Sequence, residues 1–477
     1  MQKKTLLLAF MEKSLLWEAF ASLNGHELRE FGKFVRSPFF GPRPQATALY
    51  DYLAQCRELK QLPEQAAAFR AAFPGEAYDD QRLRLAMSHT LALLEHFWAY
   101  REKFPSPDSD KISIVAAYRK RNMAKQFQIA LREARAGIER QPWRHADYFH
   151  DQNLLAWEQY QFDAADKRTE SHNLQENADL MDVAFMARKL RLACAVRSHQ
   201  AVYKTEYHLG LLPEIMAYAE SKGLLDLPAI GLYYYCIKFF DEPQAASEHF
   251  TRFRARLAEQ ADALPPEELR ALYLIAINFG IKKINESQEG WLQATLDLYR
   301  GALARELLLE NGVLSRFAFN NIVAISLRVG EVEWAKAFIP QYKKLLERQY
   351  REATAGLNLA RVAYAQKDYD TALSHLQRAD YKDLMNNLTA KTLQLKIYYE
   401  TGALEALESH LNSMKNFIRR HTAIGYHRTN YSRIVHFTQR LMEIKPSDQK
   451  KMKLLREQIE VEKILTEKEW LLDMLKG

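Results

Sequence analysis

LARVAYAQKDYDTALSHLQRA, running from Leu359 to Ala379, decides the fold class. Tyr369, Ala372, Leu376 and Ala379 follow one another at intervals of three, four and three, which puts all four on one helix face. The run before them, Leu359 to Gln366, has an apolar face of its own and leaves only a few residues for a turn. Two amphipathic helices joined so tightly must pack antiparallel, and the small Ala372 marks where their backbones approach. The same small position recurs at Ala406 in YYETGALEALESHL, thirty-four residues on, and at Ala335 in LRVGEVEWAKAFI, thirty-seven back.

Composition agrees with helix. Of 477 residues, 48% are hydrophobic, with 24 Tyr and 24 Phe, enough for a sizeable core and too many for a disordered chain. Only 17 Gly and 15 Pro are present, far fewer turn residues than an all-β protein of this length needs. Cys56, Cys194 and Cys236 stand singly, so reduced thiols in a cytoplasmic protein are expected rather than a disulfide or metal framework. The opening MQKKTLLLAFMEKSLLWEAFASL imitates a leader, but Glu12, Lys13 and Glu18 interrupt its apolar run, and an amphipathic helix fits better. No uncharged run reaches the ~18 residues a membrane span needs.

Three regions are expected: a helical cap over 1–105, a long-helix region over 106–222, and helix pairs over 223–477 ending in a capping helix. In the first, Asn24-Gly25 breaks two helices, and Ser37-Pro38 stops the second because a residue before proline leaves the α region. FPSPDSDK (Phe104 to Lys111) is the clearest boundary. Long helices follow at about 111–140, 143–165 and 175–204. From 223 onward the small position falls at Ala246, Ala294, Ala335, Ala372 and Ala406. The charged end of the chain keeps Leu455, Ile459, Ile464, Trp470, Leu471 and Leu475, as a final helix shielding the last hydrophobic surface should.

A near-34 spacing with an alanine-centred hairpin resembles the tetratricopeptide repeat, specifically over 351–418 and more loosely over 310–350. Gly356 stands where that family has Trp, Ala360 where it has Gly, and Leu384 where it has a late Pro. The chain also resembles large bacterial helical repeat proteins that carry an FVRSPFF-type motif early and an EKEWLL-type helix late. The resemblance implies an all-α fold, an α-solenoid of antiparallel hairpins whose first helices line a concave groove. Carried over through Ala335, Ala372 and Ala406, the groove positions include Asn320, Arg328, Arg361, Tyr364, Lys391, Tyr398 and Tyr399. Related repeats use such Lys, Asn and Arg side chains to hold a peptide carboxylate. The bland alternative is ordinary solvated helix positions.

Charge points the same way. Residues 411–456 carry eleven Lys or Arg, among them Arg419, Arg420 and Arg428, against Glu443 and Asp448. The excess exceeds the +7 of the whole chain, so the basic character is local. An acidic protein or peptide partner is expected, with a nucleic-acid backbone as the alternative reading. His145 and His150 lie five apart, which turns them to different sides of a helix, and no HExxH, phosphate loop, GxGxxG or GxSxG pattern occurs. The expectation is a non-enzymatic protein-interaction scaffold with no metal and no cofactor.

Overall fold

Long apolar-periodic runs fold into a chain that is almost wholly α-helical. The computed structural model describes residues 11–41, 43–104, 110–166, 172–203, 205–286, 288, 290–378, 383–421, 427–444, 448–462 and 465–476. Most of the leader-like start, most of the proline-rich break at 104–111, Ala379, Lys445, Ile464, residues 422–426 and the His427 side chain lie outside the described residues. The helices are α1 (Leu15–Ser22), α2 (Gly25–Val35), α3 (Pro44–Glu58), α4 (Gln65–Ala72), α5 (Asp80–Lys103), α6 (Lys111–Lys120), α7 (Ala124–Arg140), α8 (Ala146–Asp166) and α9 (Leu174–Tyr203). They continue as α10 (Leu212–Ser221), α11 (Pro228–Asp241), α12 (Ala246–Gln260), α13 (Pro266–Asn285), α14 (Trp291–Ala304), α15 (Arg316–Arg328), α16 (Val332–Lys343), α17 (Arg351–Ala365) and α18 (Tyr369–Arg378). The last are α19 (Leu384–Glu400), α20 (Leu404–Arg420), α21 (His427–Glu443), α22 (Gln449–Val461) and α23 (Lys468–Asp473). Among the described residues no helix is long and apolar enough to cross a membrane.

The chain divides into two compact units, residues 1–141 with 148–182, and residues 142–147 with 183–477. In the first, Phe20, Phe31, Leu49, Leu53, Phe69 and Leu94 build a core around α5. Asn24 starts α2 as expected of a capping residue: its Oδ1 accepts from the amides of His26 and Glu27 at 2.9 Å, and Glu27 returns the bond to the Asn24 amide at 2.8 Å.

The second unit is made of consecutive helices packed pairwise, α11 on α12, α13 on α14, α15 on α16, α17 on α18 and α19 on α20. First helices also meet: α15 touches α17, and α17 touches α19. The last three of these pairs are closed by the same three-residue link. Its central residue is left-handed in each: Gly330 (φ 84°), Lys367 (φ 61°) and Gly402 (φ 69°). The following amide then reaches back into the first helix, Glu331 to Ser326 O at 2.9 Å, Asp368 to Ala363 O at 2.9 Å and Ala403 to Tyr398 O at 3.0 Å. This is the Schellman closure, which satisfies carbonyls that a helix end otherwise leaves bare.

The alanine register needs two corrections. Ala246, Ala335 and Ala372 are buried at helix contacts, but Ala406 is exposed and the next residue, Leu407, takes the buried place. Thus the last pair repeats at 35, the distance between Lys367 and Gly402, and not at 34. In the α13–α14 pair Ala294 is only half-buried, and Thr295 makes the close approach instead. A Cβ on Gly280 would stand 2.2 Å from the Thr295 hydroxyl oxygen, so the bare glycine is what lets these helices meet.

Two further features depart from expectation. A two-residue antiparallel ladder pairs Leu309 with Leu314 and Glu310 with Val313, turning through Asn311 and Gly312, both at positive φ. The expected single final helix is broken after Val461, and a short helix restarts from Glu467, a non-glycine residue at φ 55°. All three cysteines are buried free thiols, and burial pushes the Cys194 thiol well up from its ordinary range.

Ala372 sits fully buried in a cluster with Leu357, Ala360, Ala363 and Ile397. Ala372→Leu is expected to lower stability by about 1–3 kcal/mol through overpacking, read as a shift of the urea-unfolding midpoint of the full chain.

Candidate functional site

The ends of α15, α17 and α19 come together under residues 465–476. Arg328, the last residue of α15, holds both carboxylate oxygens of Glu469 at 3.1 and 3.2 Å. Lys396 of α19 pairs with Glu467 at 2.7 Å, and its ammonium lies 4.7 Å from the centre of the Tyr364 ring and 5.8 Å from the Trp470 ring. Glu400, the last residue of α19, accepts from three donors: the Tyr364 hydroxyl, the Tyr369 hydroxyl at 2.7 Å and the Trp470 indole N–H at 2.7 Å. Tyr399 meets Trp470 edge to face, with ring centres 5.6 Å apart. The bond to Glu400 and then burial push the Tyr369 hydroxyl up to about 12. Burial first and Glu400 second push Tyr364 upward as well.

Deeper between the first helices lies an amide seam. Asn320 donates to Asn386 at 2.9 Å and accepts from Asn358 at 2.6 Å, while Arg361 donates to the Asn358 side chain at 3.1 Å and to the Asn320 carbonyl at 3.3 Å. Asn358 is fully buried, so its amide must be paired and the seam holds α15, α17 and α19 in register.

Lys391 and Tyr398 lie elsewhere, against α20. The Lys391 ammonium stands 5.6 Å from the Phe417 ring centre, and Tyr398 meets His410 edge to face. The residues reached through Ala406 are therefore displaced by one from the face, and Lys396 and Glu400 occupy the places that Arg361 and Ala365 hold one repeat earlier. Sequence reasoning missed both. The signal that finds them is the turn centre: counted back from Gly402 as Arg361 is from Lys367, the matching position is Lys396.

The basic segment forms a separate, open groove of about 910 Å³ between α21 and α22. Arg428, Arg433, His436 and Arg440 line one wall, and Leu454, Glu457, Gln458, Val461 and Glu462 the other. Arg433 pairs with Glu462 at 2.7 Å and Arg440 donates to Gln458, so the walls are pinned to each other at two points. Leu454 (51% exposed) and Val461 (80%) leave apolar surface in view beside these cations. Arg419 and Arg420 are exposed in the last turn of α20, where cations favour the carbonyl end of the helix, and neither lines the groove.

His145 precedes α8, its Nε2 3.8 Å from Asp147, whose carboxylate is held by Arg188 at 2.8 Å. Among the described residues no group of three or more His, Cys, Asp or Glu side chains could hold a metal ion. What the two assembled regions offer is recognition chemistry: donors, acceptors, cations and aromatic faces. No protein family, no curated protein and no solved structure matches the chain.

Half-buried His410 donates from Nε2 to the Lys391 carbonyl at 2.8 Å, and desolvation, with the nearby Lys391 ammonium, holds its pKa below the ordinary 6.5. A lowered imidazole pKa means the unfolded chain binds a proton first on acidification. Its stabilising contribution is complete above about pH 6.5 and is lost as pH falls toward the folded pKa. Thermal melts of the full chain are expected to lose stability below pH 6.5, and His410→Gln to flatten that dependence.

Proposed function

We propose that the chain is a non-enzymatic interaction scaffold of tetratricopeptide-like helix hairpins, forming a solenoid over its second unit. It takes an acidic, amphipathic helical segment of a partner protein in the groove between α21 and α22. One observation carries this reading: exposed Leu454 and Val461 lie open beside Arg428, Arg433, His436 and Arg440. Apolar surface of this kind favours the apolar stripe of a helix, and flanking cations favour acids on its edges. The 13 residues of α22 make a wall roughly 20 Å long at 1.5 Å per residue, room for about three turns of ligand helix. Support for the hairpin family comes from three identical left-handed links at near-repeat spacing.

The nucleic-acid alternative fits this groove less well. Its aromatic residue, Phe437, is buried and presents no ring for a base to stack on.

The test is fluorescence anisotropy on the full chain, with a labelled 14-residue helical peptide bearing Leu on one face and Glu on its flanks. Micromolar binding is expected, weakened at least tenfold by Arg428→Glu with Arg440→Glu and independently by Leu454→Asp. Tighter binding of a 20-nucleotide single-stranded RNA, falling steeply with salt, would transfer the site to the nucleic-acid reading.

A further inference from the structure

Residues 465–476 present two faces to two different surroundings. Leu471 and Leu475 are buried with Ile434, Leu455 and Ile459 in the core of the last helices. Glu467, Glu469 and Trp470 turn onto the ends of α15 and α19, where Trp470 is left only 7% exposed. Little within the segment itself dictates this placement. Its helix has six residues, has no side-chain cap, and starts from Glu467 in a backbone conformation that L side chains rarely adopt. The surface beneath supplies what the segment lacks. Arg328 and Lys396 are set to meet two acids one residue apart, and Glu400 meets the indole N–H that follows them. Tyr364 and Tyr399 close around the same indole and ammonium.

We propose that the ends of α15, α17 and α19 form a binding site for an acid-x-acid-Trp segment of a partner protein, and that residues 467–470 are its resident occupant. The chemistry of the partner is read from the occupant: two carboxylates at i and i+2, and Trp at i+3. Tethering gives the resident an effective concentration of about 1 mM. For an intrinsic Kd of about 10 μM, that lowers the apparent affinity for a free competitor about 100-fold. The site is closed to weak segments and opens to one that binds better than the resident, or when the resident is weakened. This site shares no residue with the α21–α22 groove, so the two readings fail separately.

The experiment uses the full chain carrying Arg428→Glu and Arg440→Glu, so that the α21–α22 groove contributes little, and a labelled peptide with the sequence of residues 465–476, LTEKEWLLDMLK. Trp470→Ala weakens the resident without touching the residues beneath it, and is expected to bind the peptide at least 30-fold more tightly than the same chain with its resident intact. Adding Arg328→Glu to that variant is expected to cost at least tenfold, while adding Arg252→Glu, exposed on α12 away from both sites, changes nothing. Because Trp470→Ala removes a buried ring, Glu469→Arg serves as the second opener: the position is exposed, and the new charge faces Arg328, so the fold is kept and several-fold tighter peptide binding is expected. Equal affinity for the chain with its resident intact and for a folded Glu469→Arg variant, or tight binding that ignores Arg328→Glu, would overturn the proposal.

Discussion

A three-residue link with a left-handed centre is the constraint on which the second unit depends. Once Gly330, Lys367 or Gly402 takes positive φ, the following amide bonds back into the helix it has just left, and the next helix can only run antiparallel beside it. That fixes which residues fall at the end of each first helix. Arg328, Tyr364, Tyr399 and Glu400 all stand two or three positions before a turn centre, and this is why they converge. Small residues then settle how near the paired helices come, Ala372 in one pair and Gly280 in another.

The two assembled regions use charge differently. At the helix ends Arg328 and Lys396 meet acids of the same chain, and Glu400 gathers donors from α17, α18 and the segment above. Such a carboxylate is held in place by its donors and cannot rotate without stranding at least one of them. Along the α21–α22 groove Arg433 also meets an acid, Glu462, but here exposed Leu454 and Val461 stand beside the cations.

Helix content, the Asn24-Gly25 break, the local basic segment and the placing of Asn320, Arg328, Arg361 and Tyr364 along first helices were legible because each follows from periodicity or composition. The last pair was misread because alanine was taken as the marker of close packing, whereas Leu407 fills that place at one residue's remove. Gly402 was the better marker, since a left-handed turn allows few residue types while a helix contact tolerates many. The Asn311-Gly312 hairpin carried its own signal, an Asn-Gly pair between apolar residues, too short to register against strong helical periodicity. The break before Glu467 had no local signal: a charged residue at positive φ is imposed by what surrounds it.

Unequal repeat length also has its origin in the links. Within the last three pairs the connection is three residues, but between those pairs it is not: residues 344–350 separate α16 from α17, and 379–383 separate α18 from α19. Among these three pairs length therefore changes only at the joints between them. An insertion there lengthens one unit and leaves every helix end facing as before. A chain built this way can drift in spacing over evolutionary time while the ends of its first helices stay in phase.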